Sequence, residues 1–86
     1  MPAHNETYPI EVAGVKRDLR LFAIKPGVRI AILNILGDTE LVQAVSKALA
    51  EKLRDHEVDV LVTPEAKSIP LAHGLSAEMG IPYVVL

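Results

Sequence analysis

Val58-Asp59-Val60-Leu61-Val62-Thr63 is followed by Pro64-Glu65-Ala66-Lys67-Ser68, by the run from Ile69 to Met79 and, after Gly80, by Ile81-Pro82-Tyr83-Val84-Val85-Leu86. The first and last runs are short, apolar and rich in β-branched residues, the pattern of strands buried on both faces. Asp59 interrupts the first of them and is expected at its solvated start. The run from Ile69 to Met79 spans about three helical turns, and Pro70 falls in the first turn, where a missing N–H costs nothing. Pro64 and the polar residues after it signal a tight loop. The stretch therefore predicts one βαβ unit with a lysine in the loop that opens its helix. An apolar strand at a sheet edge normally has a neighbour, so a homo-oligomer, or pairing with a missing C-terminal half, is expected.

Upstream, Val28-Arg29-Ile30-Ala31-Ile32-Leu33-Asn34-Ile35 predicts another strand. Gly37-Asp38 then introduces the clearest helix, in which Leu41, Val45, Leu49 and Leu53 recur every four residues and Val42 and Ala48 widen the stripe. Asp38 fits the N-cap, where its carboxylate accepts from an orphan amide and opposes the helix dipole. Lys47, Glu51, Lys52, Arg54 and Asp55 fall mainly on the opposite, wet face. Tyr8 to Ile24 alternates loosely around a turn near Ala13-Gly14-Val15, which predicts a β-hairpin, and Lys25-Pro26-Gly27 marks the turn after it. Met1 to Thr7 is polar and expected to be disordered. The element order predicts an α/β fold: a partial Rossmann-like parallel sheet (a βαβαβ core, residues 28–86) preceded by an N-terminal β-hairpin (residues 8–27), all within one domain.

The chain has 86 residues, half of them hydrophobic, but only three aromatic, Tyr8, Phe22 and Tyr83. Its core must be aliphatic and small, since a domain this size buries only about 60–65% of its unfolded surface. There is no cysteine, which fits a reducing compartment and leaves no thiolate for a metal. The net charge is −2, with basic residues scattered; nucleic-acid binding asks for a basic patch, so it is not expected. No apolar run approaches the roughly 20 residues of a membrane span, and Met1 to Tyr8 has neither the charge nor the apolar run of a signal peptide. A cytoplasmic location is expected.

Ligands of open α/β sheets bind at the carboxyl ends of strands. Thr63 is such an end. Ser68 fits the N-cap of the following helix, whose free amides and dipole favour an anion, and Lys67 adds a positive charge beside them. Phosphate or pyrophosphate suits that arrangement. The same residues also satisfy the plain need of a strand-to-helix loop for a cap, with Lys67 in solvent. Glu65 opposes a purely anionic ligand; it has the alternatives of orienting Lys67, binding a cation that accompanies the phosphates, or facing water. His4, His56 and His73 share no ligand spacing, so no metal site is expected. Ser46, Ser68 and Ser76 have no neighbouring base, so no catalytic residue is assigned. Asn34 reads as a residue of a strand-end turn.

The run from Val62 to Ala72, with Leu75 and Met79-Gly80-Ile81-Pro82-Tyr83-Val84-Val85, resembles the front half of a type I purine phosphoribosyltransferase, the adenine and xanthine enzymes above all. In that family the loop after the first core strand carries a Glu-Ala-Arg/Lys-Gly-like sequence, binds the pyrophosphate of phosphoribosyl pyrophosphate and often contains a non-proline cis peptide. The resemblance implies that Glu65, Ala66, Lys67 and Ser68 bind pyrophosphate here. Ser68 stands where glycine is usual, and glycine adopts backbone angles that serine reaches less readily. Upstream, Ile32-Leu33-Asn34-Ile35-Leu36-Gly37-Asp38 is similar to the segment before the first core helix, which implies a base contact for Asn34 and a hood-domain origin for the hairpin. Magnesium is expected for the full family enzyme and no cofactor for this chain alone. The family's later strand with two acidic residues, its Thr-Gly-rich ribose 5-phosphate loop and its flexible closing loop are absent from the sequence. The resemblance thus implies an N-terminal part that is inactive alone; a non-catalytic assembly or nucleotide-binding module of the same fold is the alternative.

Overall fold

A computed structural model describes residues 6–86. They form two compact units, one closing at Asn34 and the other running from Ile35 to Leu86. The disorder expected for Met1 to Thr7, and with it His4, falls mostly on residues 1–5, outside the described residues. Thr7 departs from that expectation: it opens the first strand, and beside it the Glu6 carbonyl accepts from the Leu21 amide at 3.2 Å.

The first unit is an antiparallel sheet of β1 (Thr7–Val12), β2 (Val15–Lys25) and β3 (Val28–Ile32), in the order β1-β2-β3. Val12 pairs with Val15, so the hairpin closes on Ala13-Gly14 alone. Both turn residues have positive φ, 53° and 80°. That twist matches the flanking strands, and it falls to glycine at one of the two positions where a side chain is strained. Arg29 and Glu6 form an ion pair, and the Arg20 guanidinium lies 5.5 Å from the Phe22 ring centre.

β3 corrects the expected sheet. It does not open a parallel core; it pairs antiparallel with β2, Phe22 opposite Ile30 and Arg20 opposite Ile32. The reason is the length of the connection. Only Pro26-Gly27 separates the two strands, and a link so short joins antiparallel strands, whereas parallel ones need a crossover of a dozen residues or more. The described fold is therefore mixed α/β, with a three-stranded antiparallel sheet and a two-stranded parallel one.

The second unit contains α1 (Thr39–Leu53), β4 (Leu61–Thr63), α2 (Ile69–Met79) and β5 (Tyr83–Val85). Asp38 caps α1 as its sequence position suggests, its Oδ1 accepting from the Leu41 amide at 3.2 Å. α2 ends at Gly80 in the left-handed conformation (φ 69°), which turns the chain sharply and lets the Gly80 amide donate to the Ser76 carbonyl at 2.8 Å. The Ser76 hydroxyl donates to the Ile81 carbonyl just beyond the turn. β4 and β5 pair in parallel, Leu61 with Tyr83, Val62 with Val84 and Thr63 with Val85.

α1 packs against α2, and the buried apolar residues Leu41, Ala72 and Leu75 lie on these helices. Ser46 is buried at the same seam, 1% exposed, with no hydrogen-bond partner for its hydroxyl. Gly74 makes the approach of the helices workable, because a Cβ there would stand 2.3 Å from Ser46 Oγ and 3.2 Å from Ser46 Cβ.

Burial of the strands differs from expectation. Val62 is 59% exposed and Val84 47% exposed. α2 packs on β4 and β5, toward Leu61, Thr63 and Tyr83, and side chains alternate along a strand, so Val62 and Val84 point to the other face. The continuous apolar run suggested two covered faces; the second unit covers one.

Gly74→Ala is expected to cost about 1–3 kcal/mol of unfolding free energy in urea denaturation, the usual range for overpacking. Ser46→Ala, which removes an unpartnered buried hydroxyl, is expected to be neutral or stabilising and to recover part of that loss in the double variant; a double variant no better than Gly74→Ala would show that the strain lies elsewhere. Asp38→Ala is expected to cost about 1 kcal/mol through the lost cap, and an unchanged denaturation midpoint would show that the cap does not contribute.

Candidate functional site

The parallel pairing of β4 and β5 fixes where the loop stands. β4 ends at Thr63, which is 4% exposed and accepts at its carbonyl from the Leu86 amide at 2.9 Å. The chain leaves the sheet there, turns through Pro64 to Ser68 and enters α2. The loop thus lies at the carboxyl end of a parallel strand and at the amino end of a helix, the position at which open α/β sheets present ligands.

Pro64, Glu65, Ala66 and Lys67 are exposed and Ser68 is half-buried. The peptide bond between Glu65 and Ala66 is cis, the non-proline cis peptide that the resemblance implies for this loop. The Ala66 carbonyl accepts from the Ile69 amide at 3.2 Å, and the Ser68 carbonyl takes the Ala72 amide at 2.9 Å as the helix starts. The structure therefore brings Glu65, Ala66, Lys67 and Ser68 together on one short loop. Asn34 belongs to the first unit, two residues past β3, and is exposed.

Ser68 behaves differently from the capping residue its position suggests. It occupies the N-cap of α2, but its side chain makes no capping bond. Its Oγ instead lies 2.6 Å from Thr63 Oγ1 and 3.2 Å from the Pro64 carbonyl, which Thr63 Oγ1 also reaches at 3.1 Å. Two hydroxyls carry two protons: one bridges the pair and the other goes to the Pro64 carbonyl. The Ile69 amide is taken by the Ala66 carbonyl and Pro70 has no N–H, so with that hydroxyl turned toward the strand the Leu71 amide is the first-turn donor left to water or a ligand. The backbone at Ser68, φ −88° and ψ −3°, is ordinary for serine. The glycine usual in the resembling family is therefore not needed here on conformational grounds.

Sequence reasoning identified the loop but not the Thr63 hydroxyl, because a threonine ending a strand reads as β-propensity. The contact between His73 and Tyr83 was also missed: the ring centres are 5.6 Å apart, edge to face, and His73 Nδ1 is 3.2 Å from the Tyr83 hydroxyl. It ties α2 to β5. Only its separation, one residue on a helix and the other on the next strand, was available as a signal.

Among the described residues, no three His, Cys, Asp or Glu side chains converge on a point that could hold a metal ion. No helix among them is long and apolar enough to cross a membrane. A broad concavity of 690 Å³ lies at the opposite end of the second unit, lined by Leu53, His56, Val58, Met79 and Ile81 among others, and includes no residue of the loop. Its size reflects an open groove between helix ends, and the loop has the better claim on chemistry because its amides and Lys67 are placed at a strand's carboxyl end.

Comparison with known proteins places these residues in a wider context. No family model matches the chain. A purine biosynthesis transcriptional repressor of Bacillus subtilis is 32% identical over 63 residues, 73% of this chain and 22% of the repressor. A xanthine phosphoribosyltransferase of an Exiguobacterium strain is 41% identical over 54 residues, 63% of this chain and 28% of the enzyme. A purine biosynthesis transcriptional activator of Lactococcus lactis is 29% identical over 63 residues, 73% of this chain and 23% of the activator. The chain spans about a quarter of the length of the curated relatives it matches. Over most of its residues, then, the chain is similar both to a xanthine phosphoribosyltransferase and to regulators of purine biosynthesis.

Proposed function

We propose that this chain is the N-terminal part of a purine phosphoribosyltransferase-related protein, and that its Glu65-Ala66-Lys67-Ser68 loop binds the pyrophosphate group of phosphoribosyl pyrophosphate. The observation that carries the reading is the loop itself: a Glu-Ala-Lys-Ser turn at the carboxyl end of a parallel strand, opening a helix whose Leu71 amide is not capped by Ser68. Backbone donors and the Lys67 ammonium meet the oxyanion there, aided by the helix dipole. The 41% identity to a xanthine phosphoribosyltransferase supports the purine direction. Catalysis is not assigned to these residues: the loop holds one end of the donor, and phosphoribosyl transfer needs the second substrate positioned and water excluded. Glu65 is the one carboxylate on the loop, and no three His, Cys, Asp or Glu side chains converge among the described residues. An accompanying Mg²⁺ is best held by the ligand's own phosphate oxygens and water, as that ion prefers.

A second reading is a non-catalytic nucleotide-binding or assembly module of the same fold, in which the loop recognises the same pyrophosphate group without turnover. It is favoured by the similarity to the purine biosynthesis repressor, which covers 73% of this chain. The two readings share the ligand chemistry and part at turnover, which only the first requires of the whole protein.

The test is titration of the ¹⁵N-labelled chain with pyrophosphate and with phosphoribosyl pyrophosphate, each with and without Mg²⁺. Saturable shifts at the amides of Ala66, Lys67, Ser68, Ile69 and Leu71 are expected. Lys67→Gln is expected to weaken binding roughly fivefold at low salt, the worth of one solvated charge at contact distance, with the difference shrinking as salt screens it. Glu65→Gln is expected to tighten binding by a smaller factor. Absence of shifts at millimolar pyrophosphate would remove both readings of the loop.

A further inference from the structure

The loop has a device that its sequence does not advertise. Thr63 and Ser68 bracket Pro64 to Lys67, and their hydroxyls meet at 2.6 Å while sharing the Pro64 carbonyl. Thr63 is almost wholly buried, so its hydroxyl is fixed by the sheet, whereas Ser68 is half-buried at the start of the helix. The three groups close the loop at its neck and leave Glu65, Ala66 and Lys67 exposed at its tip. Of the four residues, Ser68 is the one that departs from the family pattern. At φ −88° its side chain costs the backbone nothing, and its hydroxyl takes part in this clasp in place of a helix cap.

We propose that the Thr63–Ser68 hydroxyl pair is a clasp that sets the conformation of the Glu65–Lys67 tip and so acts as a positioning element for oxyanion binding. This rests on the pyrophosphate reading for its functional consequence, but the clasp itself is a property of the free chain. Two effects work together. Bonding the Ser68 hydroxyl to the strand side keeps it off the Leu71 amide, the one first-turn donor of α2 that neither the Ala66 carbonyl nor Pro70 removes, and leaves that amide available to the ligand. Closing the neck orders the tip before binding, so less conformational freedom is lost when the anion arrives. Glycine at position 68 leaves the amide free but supplies no hydroxyl for the neck; a protein with glycine there must order the same loop in another way.

The experiment compares the wild-type chain with Thr63→Val, Ser68→Ala, the double variant and Thr63→Ser, all in the full 86-residue chain. Valine keeps the buried shape of threonine and removes the hydroxyl; serine keeps the hydroxyl and serves as the conservative control. Two quantities are read in each: the ¹⁵N–¹H heteronuclear NOE of the amides from Glu65 to Ser68 without ligand, and the pyrophosphate Kd from amide shifts. Thr63→Val and Ser68→Ala are each expected to lower the NOE at the tip alone, with the amides of α1 and β5 unchanged. Each is expected to weaken pyrophosphate roughly three- to tenfold, the net worth of one such hydrogen bond. The double variant is expected to lose little more than either single one, since the two residues form one interaction. Thr63→Ser is expected to match the wild type in both readouts.

Unchanged tip NOE and Kd in Thr63→Val and Ser68→Ala, with the wild type binding normally, would overturn the clasp and leave the pyrophosphate reading standing. Strictly additive losses in the double variant would also overturn it, because independent sites add. If the wild type fails to bind pyrophosphate, the functional reading is lost, and the NOE comparison still decides the clasp: a loosened tip supports it and an unchanged one overturns it. Should Thr63→Val disturb amides throughout the second unit, Ser68→Ala carries the test from the less buried side.

Discussion

The parallel pairing of β4 with β5 is the constraint on which the second unit depends. Two parallel strands cannot be joined by a turn, so the chain must cross the sheet and return to the starting edge. α2 is that crossover, and its apolar side chains Ala72 and Leu75 are buried by lying on the strands and against α1. The loop from Pro64 to Ser68 exists because the chain needs a way from a strand end into a helix start. Its position, at the carboxyl end of one element and the amino end of the next, is therefore a by-product of topology before it is a site. A loop in that position is open to a ligand on a turn the fold already makes.

The helices were the most legible part of the fold. The four-residue recurrence of Leu41, Val45, Leu49 and Leu53 and the aspartate before them define α1, and Pro70 and Gly80 bracket α2 by conformational necessity. The strands were less so, because a short apolar run specifies extended backbone without specifying a partner. Val28 to Ile32 is as apolar as a core strand, and its partner is settled by Pro26-Gly27, a connection too short for a parallel neighbour. Weighing linker length ahead of apolar character would have assigned it correctly. Val62 and Val84 illustrate the same gap: a β-branched run says that a strand forms and leaves open how many of its faces are covered.

For the candidate site, what could be read was the order of residues along the loop, and what could not be read was the direction of hydroxyls. A serine before a helix has two outlets for its proton, the helix amides or the strand it came from, and the choice depends on what stands across the neck. In this chain Thr63 stands there, five residues earlier and buried. Local statistics favour the cap, and a tertiary neighbour overrides it. His73 and Tyr83 are a similar case, brought together only when the crossover is complete.

The pairings also set an order of assembly. Val12 meets Val15 across a tight turn, so the first hairpin closes with little loss of chain entropy and belongs to the microsecond regime. Leu61 meets Tyr83 only after all of α2 has been laid down between them, and such non-local pairing is slow to form. The neck of the loop, made of one residue from β4 and one from the start of α2, is built on that late contact. The part of the chain with the best claim to chemistry is thus among the last to be completed.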